Sequence, residues 1–114
     1  MDANFFETAQ LLAEQERAGQ AYLEFLRVPA LSAGLYTLAA GSADTQQPHT
    51  EDEIYYVVSG CAAFRAGSQE CSVQAGSILY VKANVEHRFH SISADLRILV
   101  LFAPAEYSNL PEQP

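Results

Sequence analysis

The pattern of this chain predicts an all-β fold, a sandwich or barrel, with one short helix in front of it. Two observations carry that expectation. From Ala21 onward the apolar residues alternate with polar ones in short runs, and turn residues punctuate the chain at close, regular intervals. No second stretch of helical periodicity interrupts these runs, which argues against a βαβ arrangement.

The helix is expected over Asn4 to Gly19. Asn4 is placed to cap it with Glu7 as the capping-box partner. Phe5, Ala9 and Leu12 recur at helical spacing, and Gly19 supplies the stop. Its apolar side is expected to pack on its own domain, with a subunit contact as the second reading. Strands follow over residues 21–28, 34–39, 53–58, 61–65, 70–74, 77–81, 86–90 and 96–102. Between them stand Pro29, the run Gly41 to Asp44, Ser59-Gly60, Ala66 to Ser68, Ala75-Gly76, Lys82 to Asn84 and Ser93 to Asp95. Leu96 to Phe102 is apolar on both faces, so cover is expected on both sides, from the barrel's own second sheet or from a partner subunit. The chain therefore divides into a helical segment (1–20), a β-barrel (21–104) and a tail (105–114). The three prolines from Pro104 to Pro114 give that end an extended, loosely attached reading.

At 114 residues this is one domain, long enough to bury a core without disulfides. Hydrophobic residues make up 49 % of it, too many for a disordered chain. Six basic against fourteen acidic side chains leave a net charge of −8, which repels nucleic acid and anionic membranes. No apolar run approaches the ~20 residues that cross a bilayer, and the start lacks the basic, then apolar, pattern of a secretory signal. A cytoplasmic location is the expectation. Cys61 and Cys71 are then free thiols, although one hairpin register would let them face each other.

The candidate site lies in two clusters. On an extended segment Gln47, His49, Glu51 and Glu53 share one face, and Tyr55 and Val57 continue it with core-like residues. Carboxylates on an inward face need a cation or strong donors. His87 comes from a separate strand. If the clusters meet, His49, Glu53 and His87 form a two-histidine, one-carboxylate set, which suits a divalent metal with open coordination positions. His90 has the opposite parity and belongs outside the site.

These residues resemble the two motifs of the cupin superfamily. The first motif is Gly, five residues, His-x-His, three or four residues, Glu, six residues, Gly; Gly41, Gln47, His49, Glu53 and Gly60 fall on it in register, with Gln47 in the place of the first histidine. The second is Gly, five residues, Pro-x-Gly, two residues, His, three residues, Asn. Gly76 and His87 match it, while Lys82, Asn84 and Ser91 stand for the proline, glycine and asparagine. The resemblance implies a double-stranded β-helix, or jelly-roll barrel, with the metal inside. It implies Gln47, His49, Glu53 and His87 as the metal set and a homodimer as the assembly.

Two functions follow as expectations. The first is a metal-dependent enzyme acting on a small organic molecule. Fe(II) in such a set suits oxygen activation, whereas Zn, Mn or Ni serves as a Lewis acid for isomerisation or hydrolysis. Glu51 and Tyr55 are the candidates for handling protons. The second is a non-catalytic module that holds a small ligand or a metal. The residues do not choose between the metals, and they name no substrate.

Overall fold

The computed structural model describes residues 2–110. The chain forms α1 (Thr8–Ala18), β1 (Tyr22–Val28), β2 (Leu31–Leu38), β3 (Asp52–Ala66), β4 (Gln69–Gln74), β5 (Ile78–Val81) and β6 (His87–Ala103). Every strand pairing is antiparallel, in the order β1-β2-β6-β3-β4, with β5 on the free flank of β3. The fold class is the expected one. Alternate residues of β3 and β6 point inward, and Tyr55, Val57, Phe64, Phe89, Leu96, Ile98, Val100 and Phe102 build the core.

Two pairs of expected strands are continuous. β3 runs through Ser59-Gly60 and β6 through Ser91 to Asp95, because the residues read as turns are bulges in the β3–β6 ladder. Bulges bend both long strands and let a single ladder wrap around the core. Gly60 is required at this bend. Its φ is +104°, and a Cβ there would lie 2.3 Å from the Asp95 carbonyl oxygen on β6. In the second motif Asn84 (φ +69°) and Ser91 (φ +50°), which stand at the places of the glycine and the asparagine, have left-handed backbone. Asparagine tolerates that conformation better than most side chains do, so the turn before His87 survives the substitution.

The helix differs from its expectation at the front. It begins at Thr8, Glu7 holds the cap position without a side-chain bond, and Asn4 lies outside it. Gly19 ends it as expected, at φ +66° with its N–H on the carbonyls of Gln15 and Glu16. The helix is docked chiefly by a polar residue. Buried Gln15 donates to the carbonyls of Ala21 (2.8 Å) and Leu35 (3.0 Å) and accepts from the Thr37 hydroxyl (2.9 Å). Phe5, expected on the packed stripe, is 93 % exposed, and Ala9 is exposed as well.

On β6 the inward residues are buried, but Leu101 is 38 % exposed and joins Ile54, Tyr56, Ile78 and Tyr80 on the outer face of β5-β3-β6. Within this chain, cover is therefore present on one side only. Cys61 pairs with Gln74 and Cys71 with Phe64, so the two exposed thiols stand on different rungs and do not face each other. Among the described residues no helix is long and apolar enough to cross a membrane.

Candidate metal centre

β3 brings Glu53 and Tyr55 to the interior by simple alternation, and the first residue of β6 brings His87 beside them. Glu53 is 2 % exposed, Tyr55 1 % and His87 3 %. His49 comes from the loop before β3. Its backbone carbonyl accepts from the Asn84 N–H (2.7 Å), which ties the loop to the turn before His87. One donor atom each from His49, Glu53 and His87 lies within 4.8 Å of the other two. The two clusters thus meet in space.

The bonding within this group favours a cation. His87 Nδ1 lies 2.8 Å from the Val85 carbonyl, an acceptor, so it carries a proton and leaves Nε2 to face the site. Nε2 is 2.9 Å from the Tyr55 hydroxyl and 3.1 Å from Glu53 Oε1. That carboxylate oxygen is buried and accepts no aligned hydrogen bond. A buried carboxylate is costly unless a cation answers it, and either the protonated His87 ring or a bound ion can do so here. Zinc-class ions hold N and O donors at about 2.0–2.2 Å, so modest closure of the three side chains would seat one.

The protonation states agree with the packing. Burial holds the His49 imidazole below its ordinary value, with His87 adding to the effect against the pull of Glu53. Burial also opposes charge on His87, but the Glu53 carboxylate and the Val85 carbonyl outweigh it and raise that group. Burial, then the charge of Glu53, pushes the Tyr55 phenol far up, so it stays protonated and keeps a proton to donate.

Two sequence candidates sit elsewhere than expected. Gln47 is exposed, and its neighbour Gln46 takes the inward place. Alternation does not extend across residues 44–50, because this loop has no strand pairing. Instead Asp44 organises it. Asp44 Oδ1 accepts from the Tyr36 hydroxyl (2.8 Å) and the Gln46 N–H (3.3 Å), and Oδ2 accepts from the Gln46 side-chain amide (2.6 Å) and the Phe89 N–H (3.0 Å). The remaining Gln46 oxygen then points inward, 3.0 Å from the Tyr55 hydroxyl and 3.1 Å from His49 Nε2. Glu51 shares the inward parity and is 1 % exposed, but it faces away from the histidines' task. Its Oε1 accepts from the Tyr107 N–H (2.8 Å), and its Oε2 from the Asn109 N–H (2.9 Å) and the Thr50 hydroxyl. Both oxygens are engaged by Thr50 and the tail, and Glu51 is not among the described residues that line the cavity.

The tail is likewise corrected as far as residue 110; residues 111–114 lie outside the described part. Ala105 and Glu106 are buried, and Glu106 Oε2 lies 3.4 Å from His49 Nδ1. Burial, together with the charges of Glu53, Glu24 and Glu51, pushes the Glu106 carboxyl up to about 7. Glu106 and Asp44 were the site residues without a motif. For Asp44 the signal was an Asx turn closing on the residue two further on; for Glu106 there was none.

A cavity of about 180 Å³ opens on this group, walled by Tyr22, Tyr36, Val100, Phe102 and Tyr107. A larger groove of about 420 Å³ passes Arg65, Arg88 and His90 on the outside of β3 and β6. Its polar groups have local partners: His90 Nε2 lies 2.5 Å from Glu70, Arg88 pairs with Glu86 at 3.2 Å, and Arg65 donates to the Gly67 carbonyl at 3.3 Å.

The comparisons with known proteins agree with this architecture. The cupin domain family matches residues 34–102. The uncharacterized protein SCO3923 of Streptomyces coelicolor is 50 % identical over 101 residues, covering 89 % of this chain and 96 % of its own length. An RmlC-like cupin family protein with a double-stranded β-helix fold from Methanocaldococcus jannaschii superposes with a TM-score of 0.68 at 17 % identity, over 91 % of this chain and 93 % of its own. The TT1209 protein of Thermus thermophilus gives 0.64 at 25 % identity, over 75 % and 83 %.

Proposed function

Because this chain belongs to the cupin domain family, we propose that it is a metal-dependent enzyme acting on a small organic molecule. The observation that carries the reading is the meeting of His49, the buried Glu53 carboxylate and His87, whose donor atoms lie within 4.8 Å of one another. His49, Glu53 and His87 would hold the ion, and the Gln46 side-chain oxygen, 3.1 Å from His49 Nε2, would offer a fourth donor. A divalent ion bound there would supply Lewis acidity, or oxygen activation if it is Fe(II).

The chain's own residues contribute the rest. The protonated Tyr55 phenol can give a hydrogen bond to an oxygen of the substrate beside the ion. Tyr22, Tyr36, Val100 and Phe102 exclude bulk water with aromatic and aliphatic surface. The cavity is smaller than the roughly 300–1,000 Å³ of drug-sized sites, which favours a substrate of few atoms over a fused polycyclic one. Among the described residues no arginine or lysine lines it, so an anionic substrate would have to be answered by the ion itself.

Elemental analysis of protein prepared without chelator or metal-affinity steps tests the reading. Stoichiometric metal, lost in both His49→Ala and His87→Ala variants that remain folded, is the expected result. Metal absent from the wild type, and not taken up on reconstitution with Fe(II), Mn(II), Ni(II) or Zn(II), would sink it. Turnover of small diketones, thiols or catechols by the loaded protein separates an enzyme from a binding module that merely retains the metal.

A further inference from the structure

We infer that Glu106 is a positioning residue for His49, and that Glu51 acts on the site through it by latching the segment that carries it. The inference rests on the metal reading above. It starts from an asymmetry between the two histidines. His87 has its Nδ1 held by the main chain of its own turn, the Val85 carbonyl at 2.8 Å. The polar group at His49 Nδ1 is Glu106 Oε2, at 3.4 Å, and it arrives from the far end of the chain. A histidine that binds an ion through one nitrogen is oriented by whatever its other nitrogen meets, and a carboxylate is among the commonest such partners.

Glu106 is held in place by its segment. Glu106 N–H donates to the buried Ser32 hydroxyl (2.9 Å), and the Glu106 carbonyl accepts from Arg27 (2.5 Å). The next residues are fastened to Glu51, through the N–H groups of Tyr107 and Asn109, while the Asn109 side chain donates to the Thr50 carbonyl (3.1 Å). Segments beyond the last strand are ordinarily loose unless tied down. Here a carboxylate buried to 1 % exposure is committed to the tying. Thr50 and Glu51 immediately follow His49 in the chain, so the latch grips the tail next to the ligand that Glu106 must meet. Placing a charge there accounts for Glu51 in a way that a proton role does not.

The test compares wild type, Glu106→Gln, Glu51→Gln and the double variant at pH 8, by three measurements. Calorimetric titration with Zn(II) gives affinity. Ring ¹H–¹⁵N spectra of the metal-free proteins follow His49 and His87 separately, and amide exchange follows Tyr107 and Asn109. Glu106→Gln should weaken Zn(II) binding about tenfold or more and shift the His49 ring signals while sparing those of His87. Glu51→Gln should speed exchange at Tyr107 and Asn109 and reproduce both effects. The double variant should be no worse than Glu106→Gln alone. Additive losses, or a freed tail with unchanged His49 signals and affinity, would overturn the inference. Failure of the wild type to bind Zn(II), and equally Fe(II), Mn(II) and Ni(II) in its place, would defeat the metal reading instead, and the metal-free His49 spectra would still decide whether Glu106 and Glu51 act on that ring.

Discussion

Replacing Tyr55 by Phe should destabilise the metal-free protein yet leave its metal affinity equal or higher. The ring stays where it is, packed against Phe89 at 5.2 Å and Phe64 at 5.8 Å between centroids, so no cavity opens. What goes is one hydroxyl with two partners, His87 Nε2 at 2.9 Å and Gln46 Oε1 at 3.0 Å. Hydrogen bonds of this kind contribute about 1 kcal/mol each, and acceptors left dry cost somewhat more. A single proton serves both partners, so the loss comes to about 1–2 kcal/mol. For a domain of this size that lowers Tm by about 4–8 °C, which scanning calorimetry of chelator-treated protein reads directly. The phenol also occupies the nitrogen that an ion would need on His87. Removing it takes away a competitor, so the gain in Tm on adding Zn(II) should widen in the variant. A drop of tenfold or more in Zn(II) affinity would refute this reasoning, because it would place the phenol among the groups that stabilise the bound ion.

Two further outcomes follow from geometry already described. The Glu106 carboxyl is raised to about 7 from an ordinary value of 4.5, so the folded state holds its proton more tightly than the unfolded chain. The resulting stability is fully present below pH 4.5 and is lost as pH rises through about 7. Metal-free Glu106→Gln should therefore show a flatter decline in stability between pH 5 and pH 8 than wild type, in urea titrations at each pH; parallel curves would show that the carboxyl is not desolvated. Gly60→Ala should cost about 2–5 kcal/mol, combining the left-handed backbone penalty with displacement of the β6 backbone. An unchanged urea midpoint would mean that the bend can relax around a methyl group.

The legible parts of this protein were those that alternation and fixed spacing control. Within β3, parity placed Glu53, Tyr55 and Val57 inward, and all three are buried, as is Glu51 just before the strand. The spacing of His49, Glu53 and His87 anticipated side chains that do meet. Parity failed at Gln47 because it was carried back past the start of the strand, into a loop whose geometry Asp44 sets by side-chain bonds. It also said which face Glu51 occupies and nothing about its partners, since those are N–H groups 56 and 58 residues further along. The helix was misread at its start for a related reason. Its attachment depends on the amide of Gln15, a residue that apolar periodicity ignores.

The fastening of Glu106 has a consequence for chain length. A segment that leaves a barrel at the surface normally accepts an added or missing residue at little cost. Here Phe102 packs edge-on against the His49 ring, at 4.8 Å between centroids, and Glu106 must return to the same ring four positions later. Ser32 and Glu51 fix the backbone on either side of Glu106, so one inserted residue would bring a different side chain to His49 and a different N–H to Glu51. The interval from Phe102 to Asn109 thus has a fixed phase, like a strand register enforced without a strand. By contrast, the exposed turn at Gly67-Ser68 between β3 and β4 bonds to the Glu86 carbonyl and the Arg65 side chain and to none of these partners.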